Sequence, residues 1–331
     1  MVRRAAAVPL LVGLLAPAAA SADDNDLVLS RLGTRVMNGN GQLTNVVGQN
    51  LEFRALASQL GVVLAPRLLT AADTTGFGGF QLTVDYATTT IDGTAAYWRA
   101  RQASPDPANT GTGAHAPDSL TTIGVFARKG MWFPIPSFEI GGGAVKLLNS
   151  SAWTGQLYAK VSLVEGYHQL PFVPSVSVRG AVSRLMAQRE LDLTVASLDI
   201  LVSKHFGIGG TWKFHPFAGW NLLMIVPRSE VIDPTPNIDS LVPGNENDSQ
   251  LDFVFDEQDT IFRNRFMFGA KFQYSFVQLT LEAQFAMAGS SVDDRAGTSD
   301  ACMPNSLTSN CDAKDTAAAQ RTISTSVGFD F

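Results

Sequence analysis

Thr322 to Phe331 reads T-I-S-T-S-V-G-F-D-F. Ile323, Thr325, Val327, Phe329 and Phe331 fall on one face of a strand. Thr322, Ser324, Ser326, Gly328 and Asp330 fall on the other, because strand side chains alternate with a period of two. One face is apolar and the other polar. A strand like this with an unpaired edge is a template for aggregation. Pairing it with an earlier strand of the same chain removes the edge, as a barrel does. The stretch therefore reads as the closing strand of a barrel.

Working back from it, the same alternation predicts nine more strands. They run Phe80 to Ile91, Leu120 to Lys129, Phe138 to Leu148, Trp153 to Leu163, Val173 to Leu185, Leu191 to Lys204, Trp212 to Val226, Phe262 to Tyr274 and Val277 to Met287. The eighth is a clean case. Phe262, Phe266, Phe268, Ala270, Phe272 and Tyr274 face out, while Arg263, Arg265, Lys271 and Gln273 face in. Two strands are less regular. Gly141-Gly142-Gly143 leaves the facing of the third open, and the phase of the sixth slips near Ala196, which reads as a bulge or a misplaced strand. The links between strands sort by length. Asp92 to Asp118, Pro227 to Asp259 and Gly289 to Gln320 fall at one end. The short turns near Phe133, Tyr167, Gly209 and Ser275 fall at the other. Long outer loops, short periplasmic turns and an even strand number are the pattern of outer-membrane barrels. The expectation is an all-β antiparallel transmembrane β-barrel over residues 78–331. It has about ten strands, eight to twelve allowing for boundaries that err by ~2–4 residues.

Composition agrees. Of the 331 residues, 45% are hydrophobic and only 16% charged, against roughly 25% charged in soluble domains. Residues 1–22 read as a signal peptide: Arg3 and Arg4, an apolar stretch broken by Pro9 and Pro17, then Ala20-Ser21-Ala22 as a cleavage signal, with cleavage after Ala22. Its removal makes the chain two units more negative than the formal −6 of the whole, which disfavours nucleic acid as a partner. No later stretch has the ~18 unbroken apolar residues of a spanning helix. An exported chain can still cross a bilayer as a closed barrel, in which every backbone group is paired.

Residues 23–77 carry weaker signals. Asn38-Gly39-Asn40-Gly41 reads as a turn or flexible loop. Phe53, Leu56, Leu60, Val63 and Leu64 recur at helical spacing and Pro66 ends the run. The segment is expected to be a plug inside the barrel or under its periplasmic mouth. A further strand or a docked arm is the alternative.

The leader, the alternating strands and Phe331 together resemble Gram-negative outer-membrane barrel proteins. The run L-A-P-R-L-L-T-A-A-D-T-T-G from Leu64 with G-F-G-G-F-Q-L-T-V-D-Y from Gly76 is similar to a group of uncharacterised barrel proteins. The plug-then-barrel order also resembles the long-chain fatty acid transporters, whose greater strand number this chain does not match. The resemblance implies residence in the cell outer membrane, with its lipid as the partner. It fixes no site.

By parity, the lumen face carries Asp85, Arg128, Lys160, Arg179, Lys213, Arg263, Arg265, Lys271 and Glu282. Such charges either line a water channel and set its selectivity or pair with one another and fill the interior. Glu282 and Lys271 are expected to pair across the tight Ser275-Phe276 turn. Cys302 and Cys311 share a loop of an exported chain and are expected to form a disulfide. Barrel proteases of the omptin type place aspartates and a histidine at the outer rim. Here only His115 is expected near that rim, while His168 and His205 fall at the short turns. No G-x-S-x-G elbow is present, so no catalytic set is expected, and no pattern calls for a cofactor or a metal. Two function classes follow. One is a porin-like channel or small-solute transporter. The other is a structural or surface-interaction barrel with a closed lumen and ligand-contacting outer loops.

Overall fold

The computed structural model describes residues 23–104, 116–165, 173–208, 211–238, 241–242, 245, 247–292 and 314–331. A small hairpin comes first, β1 (Gly33–Met37) and β2 (Leu43–Gly48), followed by helix α1 (Asn50–Val63). The predicted turn at Asn38 to Gly41 joins the hairpin. The Asn38 side-chain oxygen accepts the backbone N–H groups of Asn40 and Gln42 at 3.0 and 2.9 Å, the local bonding that suits asparagine to turns.

The barrel then runs β3 (Phe80–Thr90), β4 (Ser119–Met131), β5 (Phe138–Leu147), β6 (Trp153–Val164), β7 (Ser175–Met186), β8 (Leu191–Ser203), the short β9 (Phe206–Ile208), β10 (Trp212–Ser229), β11 (Ile261–Tyr274), β12 (Val277–Ala286) and β13 (Gln320–Asp330). Each strand pairs antiparallel with the next, with β9 only bracing the foot of β10. β13 returns to β3 from Thr322↔Thr89 to Asp330↔Gln81. Phe80 and Phe331 exchange both backbone hydrogen bonds, at 2.9 and 2.8 Å. The barrel is closed with ten strands, and all ten coincide with those read from the sequence.

Outward positions carry an apolar belt. Val84, Val125, Leu157, Phe268, Leu281 and Ile323 are all exposed. Aromatic rings gather at the short-turn end, where Trp212 and Tyr274 have centroids 4.6 Å apart and Phe214 and Phe272 4.9 Å. Aromatic girdles of this kind sit at membrane interfaces.

The irregular strands resolve simply. In β5 the inward residues are Glu139, Gly141, Gly143, Val145 and Leu147. The glycines make room for neighbouring rings: a Cβ on Gly141 would lie 2.3 Å from the Tyr158 ring, and one on Gly143 2.5 Å from Phe126. In β8 the expected bulge near Ala196 is absent, and the ladders to β7 and β10 run through it without a register break. What changes there is chemistry, not phase. Leu191, Leu193 and Val195 face inward onto α1, whereas Leu198, Ile200 and Val202 face out and Leu201 alone of the later apolar residues faces in, onto Leu68 and Ala72. Among the described barrel residues the one register break lies instead between β6 and β7, at Ser162/Val164.

Helix α1 lies in the mouth at the long-loop end. It is buried on nearly all sides from Phe53 to Val63, as expected for a helix enclosed by other elements. Phe53 stacks on Phe255 at 4.4 Å. The Trp98 indole N–H, from the β3–β4 loop, donates to Gln59 Oε1 at 2.9 Å. Residues 23–63 thus gather at the long-loop end rather than under the short-turn end. The inward leucines of β8 provide the apolar seat that α1 needs.

Gly141→Val should destabilise the barrel by about 1–3 kcal/mol through overpacking against Tyr158. Gly180→Ala, where a Cβ meets no atom within 4 Å, should be near neutral. Denaturant titration in micelles, followed by the gel shift between folded and heated barrel, measures both.

Candidate functional site: the plugged lumen

Beyond α1 the chain stays inside. Residues 64–75 run from the long-loop mouth to the short-turn mouth and lead into β3. This extended segment has no strand to pair with, because the surrounding ladder is closed. Buried backbone N–H and C=O groups still require partners, and the wall supplies side chains for them. Ser183 Oγ donates to Leu64 O at 2.8 Å, and Arg179 Nη1 to Arg67 O at 2.6 Å. Arg128 reaches Leu69 O at 3.3 Å and Leu68 O at 3.4 Å. Arg265 Nη2 reaches Pro66 O at 3.4 Å. Lys160 Nζ donates to Ala71 O at 3.2 Å and Asp73 O at 2.8 Å. The N–H groups are met as well. Gln156 Oε1 accepts from Arg67 at 2.9 Å, Glu282 Oε2 from Leu69 at 3.2 Å, Ser203 Oγ from Ala72 at 3.1 Å and Glu139 Oε2 from Thr75 at 2.8 Å.

The predicted lumen residues divide into four groups. Arg128, Lys160, Arg179, Arg265 and Glu282 hold the threaded segment. Arg263 holds the helix: its Nη1 donates to Ser58 Oγ at 2.7 Å, while Nε and Nη2 bond Met287 O and Ala318 O at 2.8 and 3.0 Å. Asp85 is buried in the wall and accepts from Ser326 Oγ at 2.5 Å. Lys213 is exposed at the short-turn mouth, and Lys271 lies near it, 3.5 Å from Asp330 Oδ2. The expected Lys271–Glu282 pair does not form. The β11–β12 register sets Thr280 opposite Lys271 and Gly269 opposite Glu282, which leaves Glu282 free for Leu69. Cys302, Cys311, His115 and His168 lie outside the described residues.

Several lumen residues escaped the parity reading. Arg67 sits in the segment whose structure was left open. Glu139 lies beside the glycine run that obscured β5. Asp199 lies past the apparent phase slip in β8. Arg179 Nε and Asp199 Oδ2 are 2.6 Å apart, and Lys160 Nζ and Glu139 Oε1 3.0 Å, all fully buried. An inward acid three residues beyond Ala196 was the available signal that β8 keeps its phase. Asn221 Nδ2 also bonds Asp199, and Arg265 Nε donates to Asn221 Oδ1 at 2.8 Å. Four wall strands and the thread are thereby joined in one network. At the short-turn end a cavity of about 510 Å³ remains, lined by Thr70, Asp73, His205, Lys213, His215 and Lys271 among others.

A closed, even-stranded antiparallel barrel with an apolar outer belt and a charged interior is an outer-membrane β-barrel. No family model and no curated protein matches the chain. Among solved structures it is similar to Ail, the attachment invasion locus protein of Yersinia pestis, at 9% identity over 77% of this chain and 99% of that one, with a TM-score of 0.27. It is similar also to the outer membrane protease OmpT from Escherichia coli, at 10% identity over 79% and 98%, TM-score 0.32. A third is the outer membrane protein OprG from Pseudomonas aeruginosa, at 9% over 79% and 99%, TM-score 0.26. At such scores none of the three bears on function, and the class rests on the barrel's own geometry.

Arg179→Leu should destabilise the barrel by about 3–5 kcal/mol, because it strands Asp199 as an unpaired buried charge. The double variant Arg179→Leu/Asp199→Leu should recover part of that loss, since the Arg67 carbonyl and the Asn221 amide also lose a partner. A double-mutant cycle from denaturant unfolding in micelles reads the coupling.

Proposed function

We propose that the mature chain, beginning at Asp23, is an outer-membrane barrel closed at rest by its own residues 23–77, with the long-loop end as its working face. The observation that carries this reading is the use of the interior cations. Arg128, Lys160, Arg179 and Arg265 are bonded to carbonyls of the threaded segment. They are therefore not turned to a water column where they could select ions. The cap at the long-loop mouth combines α1, the β1–β2 hairpin and the loop turn Ala96–Ala100. This is a built surface, in keeping with a structural or surface-interaction barrel that meets ligands through its outer loops.

A porin-like or small-solute transporter is the second reading. It is favoured by the cavity at the short-turn mouth and by the polar grip on the thread, which can be exchanged for water more readily than apolar packing. In that case the plug moves to open the path, and the exposed lumen cations favour anionic or polar solutes.

Single-channel recording in planar bilayers separates the two readings. The refolded mature protein should be silent, and a form lacking residues 23–76 should give steady steps with anion preference. Steady steps from the full mature chain would sink the closed-lumen reading. Amino-terminal sequencing of the exported protein should begin at Asp23.

A further inference from the structure

The short-turn mouth contains a cluster that joins the thread to the barrel wall. His215 stands on β10 and His205 in the turn between β8 and β9. His205 Nδ1 and His215 Nε2 are 3.0 Å apart, and the rings meet edge to face at 78°. The other nitrogen of His215, Nδ1, is 3.2 Å from Asp73 Oδ2, a carboxylate of the threaded segment. The His215 and Asp73 side chains are only 10% and 9% exposed. His205 is half-buried, and all three line the cavity of about 510 Å³.

With His215 neutral, Asp73 holds the proton on His215 Nδ1 and the Nε2 lone pair points at His205. The two facing nitrogens then share one proton, donated by His205 Nδ1. A carboxylate behind a histidine, with the other imidazole nitrogen free to bind, is how proteins orient and strengthen metal-ligating histidines.

We propose that His205 and His215 form a two-histidine transition-metal site at the short-turn mouth, with Asp73 as the carboxylate behind it, taking Cu(II) most tightly and Zn(II) less so. Imidazole nitrogens suit both ions, and the general affinity order places Cu(II) first. Two ligand nitrogens ~2.0–2.1 Å from one ion are about 2.9 Å apart at a right angle and about 3.3 Å apart at a tetrahedral angle. The observed 3.0 Å lies between. Binding expels the shared proton, and the half-buried His205 ring tilts off the hydrogen-bond line to aim at the ion. Among the described residues no further histidine, cysteine or carboxylate completes a ligand set. Water from the cavity therefore fills the remaining positions, leaving the site open to exchange.

The charges around it act in both directions. Lys204, whose Nζ donates to the neutral Val173 O at 2.9 Å, keeps its charge and opposes a cation, whereas Asp73 favours one; Lys271 faces Asp330, Lys160 faces Glu139, and Glu165 stands across the mouth on Thr74. Lys213 is the remaining positive group. Because Asp73 belongs to the thread and both histidines to the wall, a bound ion strengthens the link between the two at this mouth. The two histidines stand on the wall whether the lumen is closed at rest or opens for transport, while the Asp73 contact belongs to the closed arrangement.

The test uses the mature full-length protein in micelles, with Cu(II) supplied from a glycine buffer that sets the free concentration. Titration should show one high-affinity equivalent, and paramagnetic resonance should show coupling to two imidazole nitrogens. His205→Gln and His215→Ala should each weaken binding at least tenfold and remove the two-nitrogen pattern. Asp73→Asn should weaken it about tenfold while keeping that pattern. His115→Ala, in the long link Asp92 to Asp118 at the other end, should leave it unchanged. If the intact protein takes up no copper, or if His205→Gln binds as the parent does, the site is refuted. Should His215→Ala fail to fold, the more exposed His205→Gln decides alone.

Discussion

A closed β-ladder has no spare edge, and a chain threaded through it has nothing to pair with. Residues 64–75 are extended and buried, yet every neighbouring strand has already used its backbone hydrogen bonds on its two flanking strands. Water is scarce inside, and an unpaired buried amide costs about 1–3 kcal/mol. The wall therefore replaces the missing strand with side chains. Arg128, Lys160, Arg179 and Arg265 act as donors. Gln156, Glu139, Ser203 and Glu282 act as acceptors. Long cationic side chains reach the axis from the wall, which explains why the grip is built from arginine and lysine.

That constraint governs the rest of the interior. Cations used as backbone donors must still be neutralised. Asp199 is set against Arg179 and Glu139 against Lys160 at full burial. Buried pairs of this sort add little net stability but are costly to break, so they act as locks of register more than as sources of stability. The thread kinks at Leu69, whose φ of 42° is one a branched residue rarely adopts. Its N–H is taken by Glu282 on β12 and its carbonyl by Arg128 on β4, three strands along the wall. The kink is held by two partners at once, the condition under which such strain persists.

The fold was legible because lipid imposes a simple rule on strands: apolar out, polar in, at a period of two. Every barrel strand obeys it over most of its length. The rule fails where the inner neighbour is not water or polar side chains. In β8 it fails because α1 makes the inner environment apolar at Leu191, Leu193 and Val195, and an inward leucine looks in the sequence like a phase slip. In β5 it fails because the inner neighbours are the Phe126 and Tyr158 rings, which leave room only for glycine. The lumen charges could be assigned to the inner face by parity. Their partners could not, because the partner groups are backbone atoms of a segment with no periodic pattern. The Asp73–His215–His205 chain was likewise invisible, since it joins three separate elements through a register that only closure fixes.

The threaded topology also restricts how the barrel can be made. The cap carries a hairpin and a helix of about 10–12 Å diameter with its side chains, and it sits at the long-loop end. The covalent link to β3 emerges at the short-turn end. A folded cap cannot pass along an interior already filled by its own side chains. Either the amino-terminal segment enters as unfolded chain, or the ladder closes around it after the cap has formed. The second order suits the bonding better. The seam between β13 and β3 is the only barrel ladder joining strands from the two ends of the barrel sequence, from Thr322↔Thr89 to Asp330↔Gln81. In an empty barrel the wall cations that hold the thread would keep their wall partners, such as Asp199 for Arg179 and Glu139 for Lys160, but lose the backbone carbonyls they also serve. Threading last would require an interior with four buried cations lacking their carbonyl partners, whereas closing last lets each find its acceptor as the wall curves in. On this account the plug is a template on which the barrel closes, and the same bonds that close the lumen direct its assembly.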